Sequence, residues 1–108
     1  MKKFLVLYRS TVSMKEQMMS MTQEKANANM QGWMSWYEKS AHAVVEMGAP
    51  LGDSAVLRGT ADAGNIGGYS VIQAESIDAA KRMFEAHPHF EAPGASIELL
   101  ELMPTPGK

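Results

Sequence analysis

The first clear pattern is a short, unbroken apolar run. Phe4, Leu5, Val6, Leu7 and Tyr8 follow one another without a polar break. A run of that length, rich in strand formers, predicts a β-strand covered on both faces. Its shortness and the arginine that closes it, Arg9, argue against a signal core. Ser13 and Glu16 have the spacing of a capping box, so a short helix is expected over about residues 14–21. Thr22 then offers a second N-cap. Behind it Ala26, Met30, Trp33, Met34, Tyr37, Ala41, Val44 and Val45 recur at helical intervals. Gly48 is placed as its C-terminal cap, and Pro50 as its stop.

Further on, a loop leads to a strand expected near residues 54–58. A connection rich in glycine, asparagine and aspartate follows, then a strand near residues 68–75. Ser76 caps a second helix, with Asp78 in its first turn and Ile77, Ala80, Met83 and Phe84 on its buried side. Pro88 ends that helix. Residues 95–103 read as the last strand, and "PTPGK" as a flexible tail over about residues 104–108. The order strand, helix, strand, strand, helix, strand predicts an α+β fold of ferredoxin-like βαββαβ type, with an antiparallel four-stranded sheet and both helices on one face. The first and last strands carry apolar residues on both faces. A homodimer, closing two sheets into a barrel-like core, is therefore expected.

Composition narrows the partners. The chain has 108 residues, a formal charge of −2 and no cysteine. One domain over residues 1–108 is the expectation. Without a basic stripe, nucleic acid and anionic membranes are not expected partners, and no apolar stretch has membrane-spanning length. The lack of cysteine removes disulfides, thiolate metal sites and cysteine catalysis, and it fits the cytoplasm.

Four stretches together, "KFLVLYR", "GWMSWYEKSAHAVVEMGAPLGDS", "GGYSVIQAESIDAAKRMFEAHPHF" and "PGASIELLELMPTPG", resemble the YCII-related (YciI-like) domain family. The resemblance spans nearly the whole chain and implies a dimeric α+β barrel. It also implies that a histidine–aspartate pair can perform acid–base chemistry in such a fold, as in a dehydrochlorinase acting on a hydroxylated aromatic. The family's aspartate precedes a proline after the second helix; here that position is His87, before Pro88. The family's histidine lies early in the long helix, and "NANMQGWMSWYEK" contains none. Both halves of the pair thus depart from the usual form.

Candidate chemistry centres on His87 and His89. Each is an acid–base group by residue type, and each is equally a helix C-terminus histidine favoured by the dipole. Asp53 is the candidate orienter of either imidazole, against a plain turn role. His-Pro-His matches no recognised zinc spacing, so no metal is expected. Trp33, Trp36 and Tyr37 offer an apolar wall with polar tips; Trp36, off the main stripe, is the better ligand contact. Arg58 and Tyr69 are placed on the open sheet face, where an arginine can hold a carboxylate or phenolate. "GNIGGY" has glycines but no helix after it, so it is not a phosphate loop. The ten methionines read as adaptable packing. Two functions stay open: a cofactor-independent lyase- or isomerase-like enzyme acting on a small, aromatic organic molecule, and a non-catalytic dimeric module binding a small ligand or a protein.

Overall fold

The computed structural model describes residues 1–12, 14–60 and 65–104. Ser13, the expected cap of the first helix, and the tail beyond Pro104 lie outside them. Strand β1 is Lys2–Ser10, helix α1 Met14–Ser20 and helix α2 Gln23–Ser40. Strand β2 is Val44–Pro50, strand β3 Asn65–Ala74, helix α3 Ile77–Met83 and strand β4 Ser96–Glu101. Two single 3₁₀ turns, Ala41–Ala43 and Pro88–Glu91, complete the set. The sheet order is β2-β3-β1-β4, and every pairing is antiparallel. This is the ferredoxin-like α+β arrangement expected from the sequence.

Alternation along β1 decides the layers. Phe4, Val6, Tyr8 and Ser10 are buried, while Leu5, Leu7 and Arg9 between them are only half-buried. Opposite residues in a sheet share a face. Phe4 faces Ile72 and Val6 faces Ser70 on β3; Val6 also faces Leu99 on β4. That face forms the core, with Trp33 and Trp36 of α2 and Ala79, Ala80 and Met83 of α3 packed on it. The other face carries Leu5, Leu7, Tyr69, Val71 and Leu100, and among the described residues no helix is packed on it.

Both helix starts follow the expected capping. Thr22 Oγ1 accepts from the Lys25 amide at 3.1 Å, and Ser76 Oγ from the Ala79 amide at 3.1 Å. Each satisfies one of the amides that a helix start leaves unpaired. The second strand does not follow the sequence reading. It runs over Val44–Pro50, and residues 51–60, where a strand was expected near 54–58, are exposed and without regular structure. The long helix stops at Ser40 because β3 needs a partner on its outer edge, and Val44, paired with Ile72, supplies an apolar β-branched residue to the core. Gly48 is therefore no helix cap. It sits unpaired in a bulge of β2 at φ +77°, just before Ala49, which pairs with Tyr69. Strand β3 starts earlier than the expected residue 68, so Asn65–Gly67 of "GNIGGY" belong to it rather than to the connection.

The face of α2 is also rotated from the expected stripe. Ala26, Asn29, Gly32, Trp33, Trp36, Tyr37 and Ser40 turn inward, while Met30 and Met34 stay exposed. At Gly32 an added Cβ would lie 3.3 Å from the Pro88 ring, so the small residue admits the Pro88–Glu91 turn against the helix. Among the described residues no helix is long and apolar enough to cross a membrane.

Candidate functional site

Pro88 opens a 3₁₀ turn, and His87 is its N-cap: His87 Nδ1 accepts from the His89 backbone amide at 3.0 Å. The two histidines are folded inward by this turn and are 2% and 7% exposed. An imidazole nitrogen that accepts carries no proton, so neutral His87 holds its proton on Nε2. That Nε2 is buried and has no hydrogen-bond partner among the described residues. Rings surround it: Trp33 at 4.4 Å, Trp36 at 4.6 Å, Tyr8 at 5.3 Å and Phe84 at 5.5 Å between centroids. Burial in this aromatic box, with the nearby His89 as a smaller cause, lowers the His87 pKa from 6.5 to about 4. The group is neutral at pH 7, and its one available act is to donate from Nε2. Abstracting a proton would require it to change tautomer and give up its cap.

His89 has a different task. Its Nε2 lies 2.7 Å from Arg9 O and 3.1 Å from Ser96 O. Both are carbonyl acceptors, so Nε2 donates to both and pins the turn across β1 and β4. Neither histidine bonds a carboxylate among the described residues. Asp53 lies on the exposed segment 51–60 and is not brought to them. Arg58 lies on the same segment, exposed, and on no strand. Among the described residues, no three His, Cys, Asp or Glu side chains gather as a metal ion needs.

A cleft of about 390 Å³ lies in front of the aromatic box, between α2 and the β2–β3 pair. Met30, Trp33, Met34, Trp36 and Tyr37 form its helix wall; Val44, Met47–Pro50 and Gly67–Ser70 form its sheet wall, with Tyr8 at the floor. None of these lining residues carries a formal charge. His87 is one layer behind, screened by Tyr8 and the two indoles.

The polar groups of the cleft are ordered. Ser70 Oγ donates to Met47 O at 2.8 Å, so the Tyr8 hydroxyl, 3.0 Å from Ser70 Oγ, is the donor of that pair. Tyr8 keeps its oxygen lone pairs as an acceptor. Burial raises its pKa, and the bond to Ser70 offsets part of that rise. Trp36 Nε1 donates to Met83 O at 2.9 Å, which ties the indole to the end of α3, and its ring stacks on Phe84 at 5.0 Å. On the bare face of the sheet the Tyr69 hydroxyl donates to Glu46 Oε1 at 2.7 Å; that bond and the carboxylate charge hold its pKa above the usual phenol value.

Of the residues singled out from sequence, Trp33, Trp36 and Tyr37 meet at one cleft, with His87 behind it and His89 bracing the turn, while the Tyr69 side chain lies on the bare sheet face. Tyr8, Ser70, Met47 and Gly48 were missed. A tyrosine ending an apolar strand and a serine inside another were the available signals: each places a hydroxyl on a buried strand face. A second hollow of about 460 Å³, between α1, α2 and the Pro88–Glu91 turn, is lined by Met21, Lys25, Asn29 and Glu91 among others, and holds none of the candidates.

Comparison with known proteins agrees with this architecture. No curated protein matches the chain. Among solved structures, the 5-chloro-2-hydroxyhydroquinone dehydrochlorinase TftG from Burkholderia phenoliruptrix AC1100, in complex with 2,5-dihydroxybenzoquinone, is similar with a TM-score of 0.52 and 18% identity, over 89% of this chain and 90% of its own. At that identity the likeness establishes the fold. The family model that matches covers residues 4–105, nearly the whole sequence, and by that match the chain belongs to the YCII-related domain family.

Proposed function

We propose that the protein is a homodimer that binds a small, neutral, planar organic molecule bearing a hydroxyl or carbonyl group, in the cleft between α2 and the β2–β3 pair. One observation carries this reading. The cleft is walled by indoles, a phenol ring and thioethers, has no charged lining residue, and keeps a lone-pair acceptor on Tyr8 at its floor. Apolar walls with few oriented polar groups are what such ligands require. Tyr37, whose hydroxyl bonds no protein group among the described residues, adds a second polar contact. The fold-mate's dihydroxybenzoquinone, a ligand of that description, supports the class.

Titration with 2-naphthol tests the reading. Quenching of Trp33 and Trp36 fluorescence that saturates is the expected result. The anion 2-naphthoate should bind at least about tenfold weaker, since desolvating a carboxylate with no cation to receive it costs well over 1.4 kcal/mol. Equal binding of the two would overturn the neutral-ligand reading.

Acid–base catalysis on the same ligand is the second reading, a cofactor-independent lyase- or isomerase-like reaction. The unpartnered Nε2–H of His87 favours it, because a buried donor left unmatched is a feature of working sites. In that case the ligand reaches past Tyr8 and the indoles to His87, which acts as hydrogen-bond donor, not as base, and turnover of a hydroxylated aromatic disappears in His87→Asn. The cysteine-free composition supports a cytoplasmic setting.

The dimer rests on the bare sheet face and on surface area. The chain exposes 7946 Å², against about 5,900 Å² for a folded monomer of its mass. Leu5, Leu7, Val71 and Leu100 supply an apolar patch for a twin. Sedimentation velocity should give twice the 11.8 kDa chain mass, and Leu7→Glu should give the single mass. A wild-type monomer at micromolar concentration contradicts the dimer.

A further inference from the structure

We propose that residues 51–60 form a strap that closes over the cleft of their own protomer, with Val56 and Leu57 covering the bound molecule. The proposal deepens the small-molecule reading of the cleft and rests on it. All ten residues are exposed and none has regular structure. Val56 is 54% exposed, and Leu57 meets nothing of its own chain at 102%. Apolar side chains held in water on a short segment have a driving force to dock.

The segment starts from the cleft itself. The Leu51 amide donates to Gly67 O at 2.9 Å, and Pro50 and Gly67 on either side line the sheet wall. Across the opening, Met30 and Met34 of α2 line the cleft and are exposed. Such side chains adjust readily to an apolar partner. Leu57 is six residues on from Leu51, a reach of at most about 20 Å, and a cleft of about 390 Å³ is much narrower. Gly52 and Gly59 bracket the strap. Neither has a neighbour within 4 Å of an added Cβ, and Gly59 already sits at φ +83°. These are positions that can absorb a hinge rotation. Closure expels water, which strengthens the hydrogen bonds of Tyr8 and Tyr37 to the ligand.

The absence of cysteine makes the test clean. The double variant Met34→Cys, Leu57→Cys, oxidised with diamide, should form an intramolecular disulfide, seen by peptide mass spectrometry. Saturating 2-naphthol should speed its formation tenfold or more. A link only between chains, or none in the folded variant, overturns the strap. On the unmodified chain, amides of residues 53–58 should exchange hydrogen at least tenfold more slowly with saturating 2-naphthol; unchanged exchange under 2-naphthol that quenches the tryptophans overturns it too. If the disulfide forms but 2-naphthol never quenches the wild-type tryptophans, the strap stands and the cleft's ligand class fails.

Discussion

Gly48→Ala is expected to unfold much of the protein's stability margin, costing about 3 kcal/mol or more. At φ +77° an alanine is strained on its own account. The larger cost is steric. The added Cβ would lie 1.8 Å from Tyr69 O and 2.6 Å from its carbonyl carbon, both backbone atoms that cannot turn aside. Relief requires β2 to move off β3, which breaks the ladder that begins at Val44–Ile72 and ends at Pro50–Gly68. Since both strands wall the cleft, ligand binding should fall with the fold. Urea denaturation measures the loss. Gly52→Ala, with nothing within 4 Å of its new methyl group, is the control and should stay within about 0.5 kcal/mol of wild type. Equal midpoints for the two variants would contradict the bulge geometry.

The second large effect is a loss of stability in mild acid through His87. Its folded pKa, about 4, lies below the unfolded value of 6.5. A depressed histidine favours the folded state wherever both states are neutral, so the contribution is complete above pH 6.5. As the pH falls from 6.5 toward 4, the unfolded chain takes the proton and the folded chain does not. Stability then drops by about 1.4 kcal/mol per pH unit, about 3 kcal/mol over the window. Once His87 is protonated, Nδ1 carries hydrogen and can no longer accept from the His89 amide, so the turn loses its cap as well. The groups around it are Tyr8, Trp33, Trp36, Phe84 and His89, and none offers an anion. His87→Asn keeps a side-chain acceptor for the cap and removes the titration. The stability difference between wild type and His87→Asn should therefore shrink by about 3 kcal/mol between pH 7 and pH 4. A difference that does not change with pH would place His87 in contact with water.

Much of the architecture was legible because local signals agreed with it. The apolar run of β1, the caps Thr22 and Ser76 and the alternation in β3 each have a single physical reading. The passage from 41 to 58 did not. Ala41, Val44 and Val45 continue the helical spacing of α2, and Gly48 with Pro50 imitates a helix end. Only the unpaired edge of β3, a long-range demand, turns Val44–Pro50 into a strand. The adjacent β-branched pair Val44–Val45 was the local hint. Trp36 was set apart from the core by the same misread face, though it stacks on Phe84 as firmly as Trp33 meets Tyr8. The histidines were legible as a feature and not as an environment. Nothing in "HPHF" says that a 3₁₀ turn folds both rings inward, or that one nitrogen ends without a partner.

Whether the cleft in front of the aromatic box is the ligand site is answered most directly by nuclear magnetic resonance. Amide, methyl and indole signals are followed while 2-naphthol is added. Shifts concentrated at Trp33, Met34, Met47, Gly68 and the Trp36 indole are the predicted result. Shifts concentrated instead at Met21, Lys25 and Glu91, around the second hollow, or none at all, would contradict the account.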